Sequence, residues 1–263
     1  MSLSTKLTDK TEKTENNYSL YNYEQTQIEK LFDCKNYLFR NSRHEKTVLE
    51  NSSGAKIVRH VMFKPADIAV YKKLATISCP NLCRILEVSE YDEGYVIYEE
   101  YCDGMNIAEV MGSRDMSEYE AVETACRICV GLDALHSCGI IHRDIKPDNI
   151  IICNDNNVKI IDFDIAKIYK SNKTTDTSTL GTIGFAAPEQ YGFSQSDVRS
   201  DLYSLSVLLN YMLTREHPSV KLCENKHLSK LLTKCLSINP TDRYSSAKEL
   251  YIALKKAQRR LKK

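Results

Sequence analysis

The sequence has 263 residues, which is enough for one large domain or two small lobes with a sizeable buried core. Its formal net charge is +1, so no global electric field favours binding to nucleic acid or to a membrane surface. No apolar run reaches the roughly 18 residues that a membrane span needs, and residues 1–13 contain no apolar stretch that could act as a secretion signal. We therefore expect a cytoplasmic protein with no membrane span and no nucleic-acid partner.

Ten cysteines are scattered along the chain, mostly inside apolar segments. Cys126 and Cys129 form the only C-x-x-C pair, which falls within a helical pattern and has no second pair to complete a zinc site. We interpret the cysteines as small buried side chains in a reducing cytosol, and we expect no metal site built from them.

The first hundred residues separate into a polar tail and a strand-rich segment. Residues 1–25 are rich in Ser, Thr, Lys, Asn and Glu and poor in aliphatic residues, which predicts a disordered tail. Residues 67–77 have helical spacing, and residues 51–54 have the composition of a turn. The strand candidates are residues 37–39, 47–49, 56–62, 82–88 and 95–99.

The remainder of the chain is mainly helical in pattern. Residues 117–120 have the sequence of a capping box and precede an apolar stripe at helical spacing. Residues 200–214 carry enough leucine for a buried central helix, and Ser246 with Glu249 caps the start of a final helix. We interpret the basic end of that helix, residues 255–263, as a solvated face.

The stretch from His142 to Asp164 interrupts this helical pattern. Two β-branched runs flank a polar turn at residues 154–157, which predicts a hairpin. Asp144, Asn149 and Asp162 lie at the ends of these runs, where a rigid scaffold can aim them at one point. A carboxylate that accepts a hydroxyl proton, together with Asn and Asp ligands for Mg²⁺, is the minimum set for phosphoryl transfer from ATP.

The spacing His-Arg-Asp-x-Lys-x-x-x-Asn, followed by Asp-Phe, resembles the catalytic core of eukaryotic-type Ser/Thr protein kinases. The amino-acid sequences of residues 181–190 and 196–205 most resemble those of bacterial kinases of the Firmicutes type. The resemblance implies an α+β, bilobal protein kinase fold in which residues 26–101 form the small sheet lobe with one helix and the hinge. Residues 102–263 would form the larger helical lobe, and the whole kinase domain would cover about residues 26–260.

The resemblance assigns the chemistry to four residues. Asp144 would be the base that orients the acceptor hydroxyl and takes its proton. Lys146 would reach the γ-phosphate of ATP and neutralise charge there. Asn149 and Asp162 would hold Mg²⁺ through hard oxygen ligands. The substrates would be protein hydroxyls, and self-association would allow autophosphorylation in trans.

The same resemblance implies a nucleotide site. Tyr98 would be the gatekeeper, and the backbone of Glu99 to Tyr101 would hydrogen-bond the adenine. Ile151 would also contact the nucleotide, as would Lys146. ATP and Mg²⁺ are therefore the expected cofactors.

Residues 165–189 resemble a kinase activation segment, with a cluster of Ser and Thr hydroxyls between positions 174 and 179. A phosphate on this segment would pair with Arg143 and order the loop.

Four further residues match positions that support the catalytic loop in the resembled family. Thr182 resembles the residue that bonds both the base and its lysine. Glu189 is expected to pair with Arg243, and Asp201 is expected to bind the backbone of the catalytic loop.

Several positions depart from the pattern of the family. Asp164 replaces a glycine, and because aspartate reaches the left-handed region only at some cost, we expect a flip of the segment to be harder. Residues 39–50 contain no glycine for a phosphate-binding loop. His60 stands where the family has a phosphate-binding Lys. Lys56 and Lys64 are each four residues from that position, which displaces their charge by roughly 13 Å along a strand.

The helix that should carry a glutamate partner for that lysine has none at the matching place. The position falls near Ala69 or Val70, and Asp67 is a weak substitute one turn away. The sequence thus leaves two functions open: a protein Ser/Thr kinase, or a pseudokinase that binds partners with weak or no catalysis. Small-molecule phosphotransferases are disfavoured, because they lack the Ala-Pro-Glu segment and the Lys two residues after the base.

Overall fold

The computed structural model describes residues 28–40, 44–63, 68–91, 94–169, 182, 184–191 and 196–261. The chain divides into two compact units. One contains Met1–Ala66 and Glu87–Tyr98, and the other contains Asp67–Leu86 and Glu99–Lys263. The predicted disordered tail and the hydroxyl cluster of the activation segment lie outside the described residues.

The first unit is built around a five-stranded sheet, as the resemblance implied. Its strands have the spatial order β1-β2-β3-β5-β4, and the pairs β1–β2 and β2–β3 are antiparallel. Apolar side chains from four of these strands form its core, among them Leu49, Val61, Val96 and Tyr98. The strands are β1 (Asp33–Arg40), β2 (His44–Glu50), β3 (Lys56–Phe63), β4 (Ile85–Tyr91) and β5 (Gly94–Glu100).

Gly94 is required where β5 begins. The backbone of β3 approaches so closely that a Cβ added to Gly94 would lie 2.0 Å from the carbonyl oxygen of Met62. A side chain at this position would therefore force the two strands apart.

The second unit is mainly helical. One helix, α1, contributes to this unit rather than to the unit that holds most of the sheet. The helices are α1 (Ala69–Leu74), α2 (Ile107–Ser113), α3 (Glu118–Ser137), α4 (Val198–Thr214), α5 (Lys226–Cys235) and α6 (Ala247–Gln258). Its short strands are β6 (Gly104–Asn106), β7 (Ile140–Ile141), β8 (Ile150–Cys153), β9 (Val158–Ile160) and β10 (Lys167–Ile168).

Helix α4 lies at the centre of this unit, as its leucine content predicted. It packs against α3, α5, α6 and β7, and most of its apolar side chains are fully buried. These include Leu202, Leu205, Leu208, Leu209 and Met212.

The predicted capping box at the start of α3 is only half formed. The Ser117 hydroxyl accepts a hydrogen bond from the Glu120 backbone N–H at 3.2 Å. The Glu120 carboxylate does not complete the box, because it forms a two-pronged pair with the guanidinium of Arg114 at 2.6 and 2.9 Å. The bidentate contact with Arg114 gives the carboxylate two charge-assisted hydrogen bonds in place of one bond to a backbone N–H. Ser246 caps α6 as predicted.

The hairpin predicted in the central stretch is confirmed. Strands β8 and β9 are antiparallel, and β6 pairs with the other edge of β8. A separate pair, β7 with β10, closes the ends of the same stretch. Within the described part of the chain, no helix is both long and apolar enough to cross a membrane.

Candidate active site

The loop between β7 and β8 is held by one buried carboxylate, that of Asp201. Asp201 near the start of α4 is fully buried. Its two oxygens accept hydrogen bonds from the backbone N–H groups of His142 and Arg143 at 2.9 and 2.8 Å. His136 on α3 lies 2.8 Å from the same carboxylate. Burial opposes ionisation of Asp201, but the contact with His136 and the backbone donors hold its pKa below the usual value.

Arg143 is held in a strained backbone conformation. Its φ is 71°, in the left-handed region that a residue with a side chain rarely adopts. Its N–H is bound by Asp201, and its carbonyl accepts a hydrogen bond from the Gln190 side chain at 2.8 Å. The Gln190 amide oxygen in turn accepts from the Ala187 N–H at 3.0 Å. These contacts over-determine the conformation, which is how such strain persists.

Asp144 lies at the centre of a small polar cluster. Its Oδ1 accepts the Thr182 hydroxyl at 2.7 Å, and its Oδ2 accepts the Asn149 amide at 2.8 Å. The Lys146 ammonium lies 2.8 Å from Oδ2 and donates to the Thr182 hydroxyl at 2.9 Å. The predicted contacts of Thr182 with both residues are therefore confirmed. The cluster contains a carboxylate able to accept a proton and a cation able to neutralise an anion.

Asn149 and Asp162 are brought together by the backbone. The Ile161 N–H donates to the Asn149 carbonyl at 3.0 Å, so the residue before Asp162 is tied to the loop that carries Asn149. The Asn149 Nδ2 is directed to Asp144, which leaves its Oδ1 as the oxygen that a cation would use. Asp162 has a φ of 65°, a conformation that aspartate tolerates better than most residues. One amide oxygen and one carboxylate suit Mg²⁺, which takes oxygen ligands.

His142 connects the two segments that carry these residues. Its Nε2 donates to the Ile161 carbonyl, 3.2 Å away, and its Nδ1 accepts from the Asp144 N–H at 3.3 Å. This pattern needs a neutral ring, and burial lowers the His142 pKa accordingly. The buried Phe163 ring packs edge-on against the imidazole at 5.3 Å between centroids.

The predicted ion pair between Glu189 and Arg243 is present and buried. The guanidinium donates to both carboxylate oxygens at 2.7 and 2.9 Å, and the Ser200 hydroxyl donates to the same carboxylate. The pair therefore joins the segment that contains Gln190 to the region after α5.

Comparison with known proteins agrees with this geometry. A family model described as "Protein kinase domain" matches residues 65–239. This chain belongs to the protein kinase family. The matched region includes the whole polar cluster and the Asp201 contacts.

Several relatives of this chain have the names of Ser/Thr protein kinases. "Probable serine/threonine-protein kinase PknB" of Lactococcus lactis is 31% identical over 208 residues, covering 74% of this chain and 33% of the relative. "Serine/threonine-protein kinase PknB" of Mycobacterium tuberculosis is 33% identical over 245 residues, covering 81% and 39%. "Serine/threonine-protein kinase A" of Synechocystis is 33% identical over 183 residues, covering 62% and 35%. The kinase thus spans between 33% and 39% of the length of these relatives.

The predicted adenine-binding segment of the kinase continues strand β5. The backbone of Glu100 bonds to the two residues just before β4. Its N–H donates to the Arg84 carbonyl at 2.9 Å, and its carbonyl accepts from the Cys83 thiol at 3.3 Å. Consecutive residues in a strand direct their backbone groups to opposite edges. The strand pattern therefore predicts that the backbone groups of Glu99 are directed to the edge opposite to those of Glu100.

His60 is found on β3 with its side chain fully buried. Its Nε2 lies 3.1 Å from the Nδ1 of His44 on the neighbouring strand. A hydrogen bond between two imidazoles needs one nitrogen without a proton, so the two rings cannot both be charged while the contact lasts. Lys56 on the same strand is exposed, and Lys64 and Asp67 lie outside the described residues.

Asp164, where the family has a glycine, does not have a left-handed backbone conformation. Among the described residues other than glycine, the positive φ values belong to Arg143, Asn156, Asp162 and Arg215. The left-handed turn therefore falls two residues earlier, at Asp162. The Asp164 carboxylate accepts a hydrogen bond from the Tyr71 hydroxyl at 2.6 Å.

Three residues of the site had no assigned role in the sequence, namely His136, Gln190 and Tyr71. Each acts on a partner that is distant in sequence, and no local motif marks such a contact. Tyr71 matched the apolar spacing of its helix, so the pattern explained it without a polar function.

Proposed function

We propose that this chain is a catalytic Ser/Thr protein kinase domain that transfers the γ-phosphoryl group of ATP to protein hydroxyls. One observation carries the proposal: the carboxylate of Asp144 is contacted at 2.7–2.8 Å by Thr182, Asn149 and Lys146. A structural aspartate in a turn needs only backbone donors to satisfy it. The arrangement here instead places a base and a cation side by side, which phosphoryl transfer requires.

Each residue of the cluster has a distinct role in this reaction. Asp144 orients the acceptor hydroxyl and takes its proton, and Lys146 neutralises the charge on the transferring group. Asn149 and Asp162 would hold Mg²⁺, which supplies further charge neutralisation on the phosphates when bound. Asp201 and Gln190 contact no reactant and keep the loop in its strained form.

We further propose that the adenine is bound by the backbone of Glu99 and Tyr101. Glu100 is excluded from this role because its N–H and carbonyl already bond Arg84 and Cys83. Ile151 would contact the base, since its side chain is partly exposed whereas that of Ile150 is fully buried.

The test is phosphate incorporation from γ-labelled ATP, into the kinase itself and into a generic basic protein substrate. We expect label on Ser or Thr, abolished when a chelator removes Mg²⁺ and restored by excess Mg²⁺. Mass spectrometry would locate the sites, which we expect between residues 174 and 179. Incorporation per molecule that rises with protein concentration would support transfer between copies. Label that persists without any divalent cation would contradict the proposed mechanism.

The second candidate is a kinase-fold binding module, and the surroundings of His60 favour it. A buried imidazole bonded to His44 supplies less charge than the lysine of the family, and α1 contains no acidic partner for a lysine. Weak capture of ATP would then leave the catalytic cluster unused.

His60→Lys tests whether His60 occupies the phosphate-contacting position. If His60 occupies the phosphate-contacting position, the full charge of lysine should tighten ATP binding about tenfold, the effect of one extra charged contact. Lys56→Ala, at an exposed position of the same strand, should leave the affinity unchanged. Calorimetric titration with ATP and Mg²⁺ measures both. If ATP affinity is unchanged in His60→Lys but falls in Lys56→Ala, His60 does not occupy the phosphate-contacting position.

A further inference from the structure

A hydrogen bond joins helix α1 to the metal-binding segment of the kinase. The Tyr71 hydroxyl donates to the Oδ1 of Asp164 at 2.6 Å, and both residues belong to the second unit. Tyr71 lies on α1 and is only 1% exposed. Asp164 is separated from the candidate metal ligand Asp162 by one residue, the buried Phe163.

The chemistry of the pair defines which residue donates. Burial, and then the nearby carboxylates of Asp164 and Glu99, raise the pKa of Tyr71 well above its usual value. The phenol therefore stays protonated and donates a hydrogen bond to the Asp164 carboxylate. A short bond from a buried neutral donor to a partly buried carboxylate is a charge-assisted hydrogen bond, which is stronger than one between two neutral groups.

The position of Asp164 makes the bond relevant to Asp162. The strained turn at Asp162 is anchored on one side, where Ile161 donates to Asn149. On the other side the chain turns back at Phe163, whose carbonyl accepts from Ala166 at 3.0 Å. Asp164 lies within this second turn, so fixing its side chain restrains the backbone that directs Asp162.

Helix α1 has no other group suited to this task. Its sequence from Ala69 to Leu74 contains no acidic residue, so the Lys–Glu pair that the family pattern places at this helix has no acidic member on α1. The helix also packs against β10, which begins three residues after Asp164. The hydrogen bond and this packing are thus two contacts between the helix and the segment around Asp164.

We propose that Tyr71 is a positioning residue that, through Asp164, keeps Asp162 oriented for Mg²⁺ and links helix α1 to the metal-binding segment. This inference rests on the proposed function, because it assumes that Asp162 binds the metal of a phosphoryl-transfer site. The family pattern links this helix to the site through a Lys–Glu pair, which this sequence lacks. In this chain, the bond between Tyr71 and Asp164 would provide the link.

The test uses Tyr71→Phe, which removes only the hydroxyl, and Asp164→Ala, which removes the acceptor without requiring a positive φ. Hydrogen exchange measured by mass spectrometry should become about tenfold faster in the peptides that contain α1 and residues 161–168, because a buried bond to a charged group is lost. Asp164→Asn keeps an acceptor oxygen and should restore most of the protection. Tyr251→Phe on α6 is the matched control and should change neither peptide.

A second measurement distinguishes positioning from a purely structural role. The Mg²⁺ concentration that half-saturates phosphoryl transfer should rise about tenfold in Tyr71→Phe and in Asp164→Ala, while the KM for the protein substrate stays the same. The double variant should be no worse than Asp164→Ala alone, since Tyr71→Phe breaks a bond that Asp164→Ala already breaks. Equal Mg²⁺ requirements in all variants, or unchanged exchange, would overturn the inference. If the unmodified chain transfers no phosphate, the proposed function fails, and the coupled change in exchange alone decides whether the link exists.

Discussion

Asp144→Asn is expected to lower phosphoryl transfer by roughly 10³-fold, within the range usual for loss of a general base. The amide cannot take a proton from the acceptor hydroxyl, and it removes the negative partner that Lys146 contacts at 2.8 Å. The Asn side chain can still accept the Thr182 hydroxyl, so the loop should keep its conformation. Labelled phosphate incorporation at saturating ATP and Mg²⁺ measures the loss.

The control for this variant lies four residues further along the same loop. Asp148 is exposed, and Asp148→Asn makes the same chemical change outside the polar cluster. Its activity should stay within about twofold of the parent, because surface substitutions rarely disturb a fold. ATP binding by calorimetry should be similar in both variants. Equal labelling of Asp144→Asn and the parent chain would exclude Asp144 as the base and leave the binding-module interpretation in its place.

The catalytic loop could be predicted closely because its residues are neighbours in the sequence. The positions of Asp144, Lys146 and Asn149 follow from one loop between two short strands, and the spacing carries the geometry. The contacts with Thr182 and Asp201 were also predictable, although they bridge 38 and 58 residues or more. In those cases a second motif marked the partner.

The contact between Tyr71 and Asp164 illustrates what could not be predicted. The two residues are 93 positions apart, and each had a sufficient local explanation. Tyr71 fitted the apolar face of a helix, and Asp164 occupies a position where the family has a flexible glycine. Spacing gives the face on which a residue lies but not the atom that its hydroxyl reaches. The left-handed turn at Asp162, two residues before Asp164, was likewise not predicted.

Arg243→Ala is expected to reduce the free energy of unfolding by about 3–5 kcal/mol, the usual cost of removing one partner from a buried ion pair. The side chains of Arg243 and Glu189 are almost completely buried. Arg243 also donates to the carbonyls of Arg199, Ser237 and Ile238. Its loss therefore removes the donors for three carbonyl groups and, among the described residues, leaves the buried Glu189 carboxylate with the Ser200 hydroxyl as its donor.

Denaturant unfolding, monitored by a signal from the helical unit, measures this loss. Arg215→Ala is the matched control, because Arg215 pairs with Asp115 at 2.6 Å but both side chains are largely exposed. An exposed pair contributes about 0–1 kcal/mol, so this variant should unfold almost as the parent does.

The position of Glu189 adds a second consequence of losing Arg243. Gln190, the residue after Glu189, donates a hydrogen bond to the carbonyl of the strained Arg143. Arg243→Ala should thus lower phosphoryl transfer even at temperatures where the chain remains folded. A loss of stability no larger than that of Arg215→Ala would show that the buried pair does not support the catalytic loop.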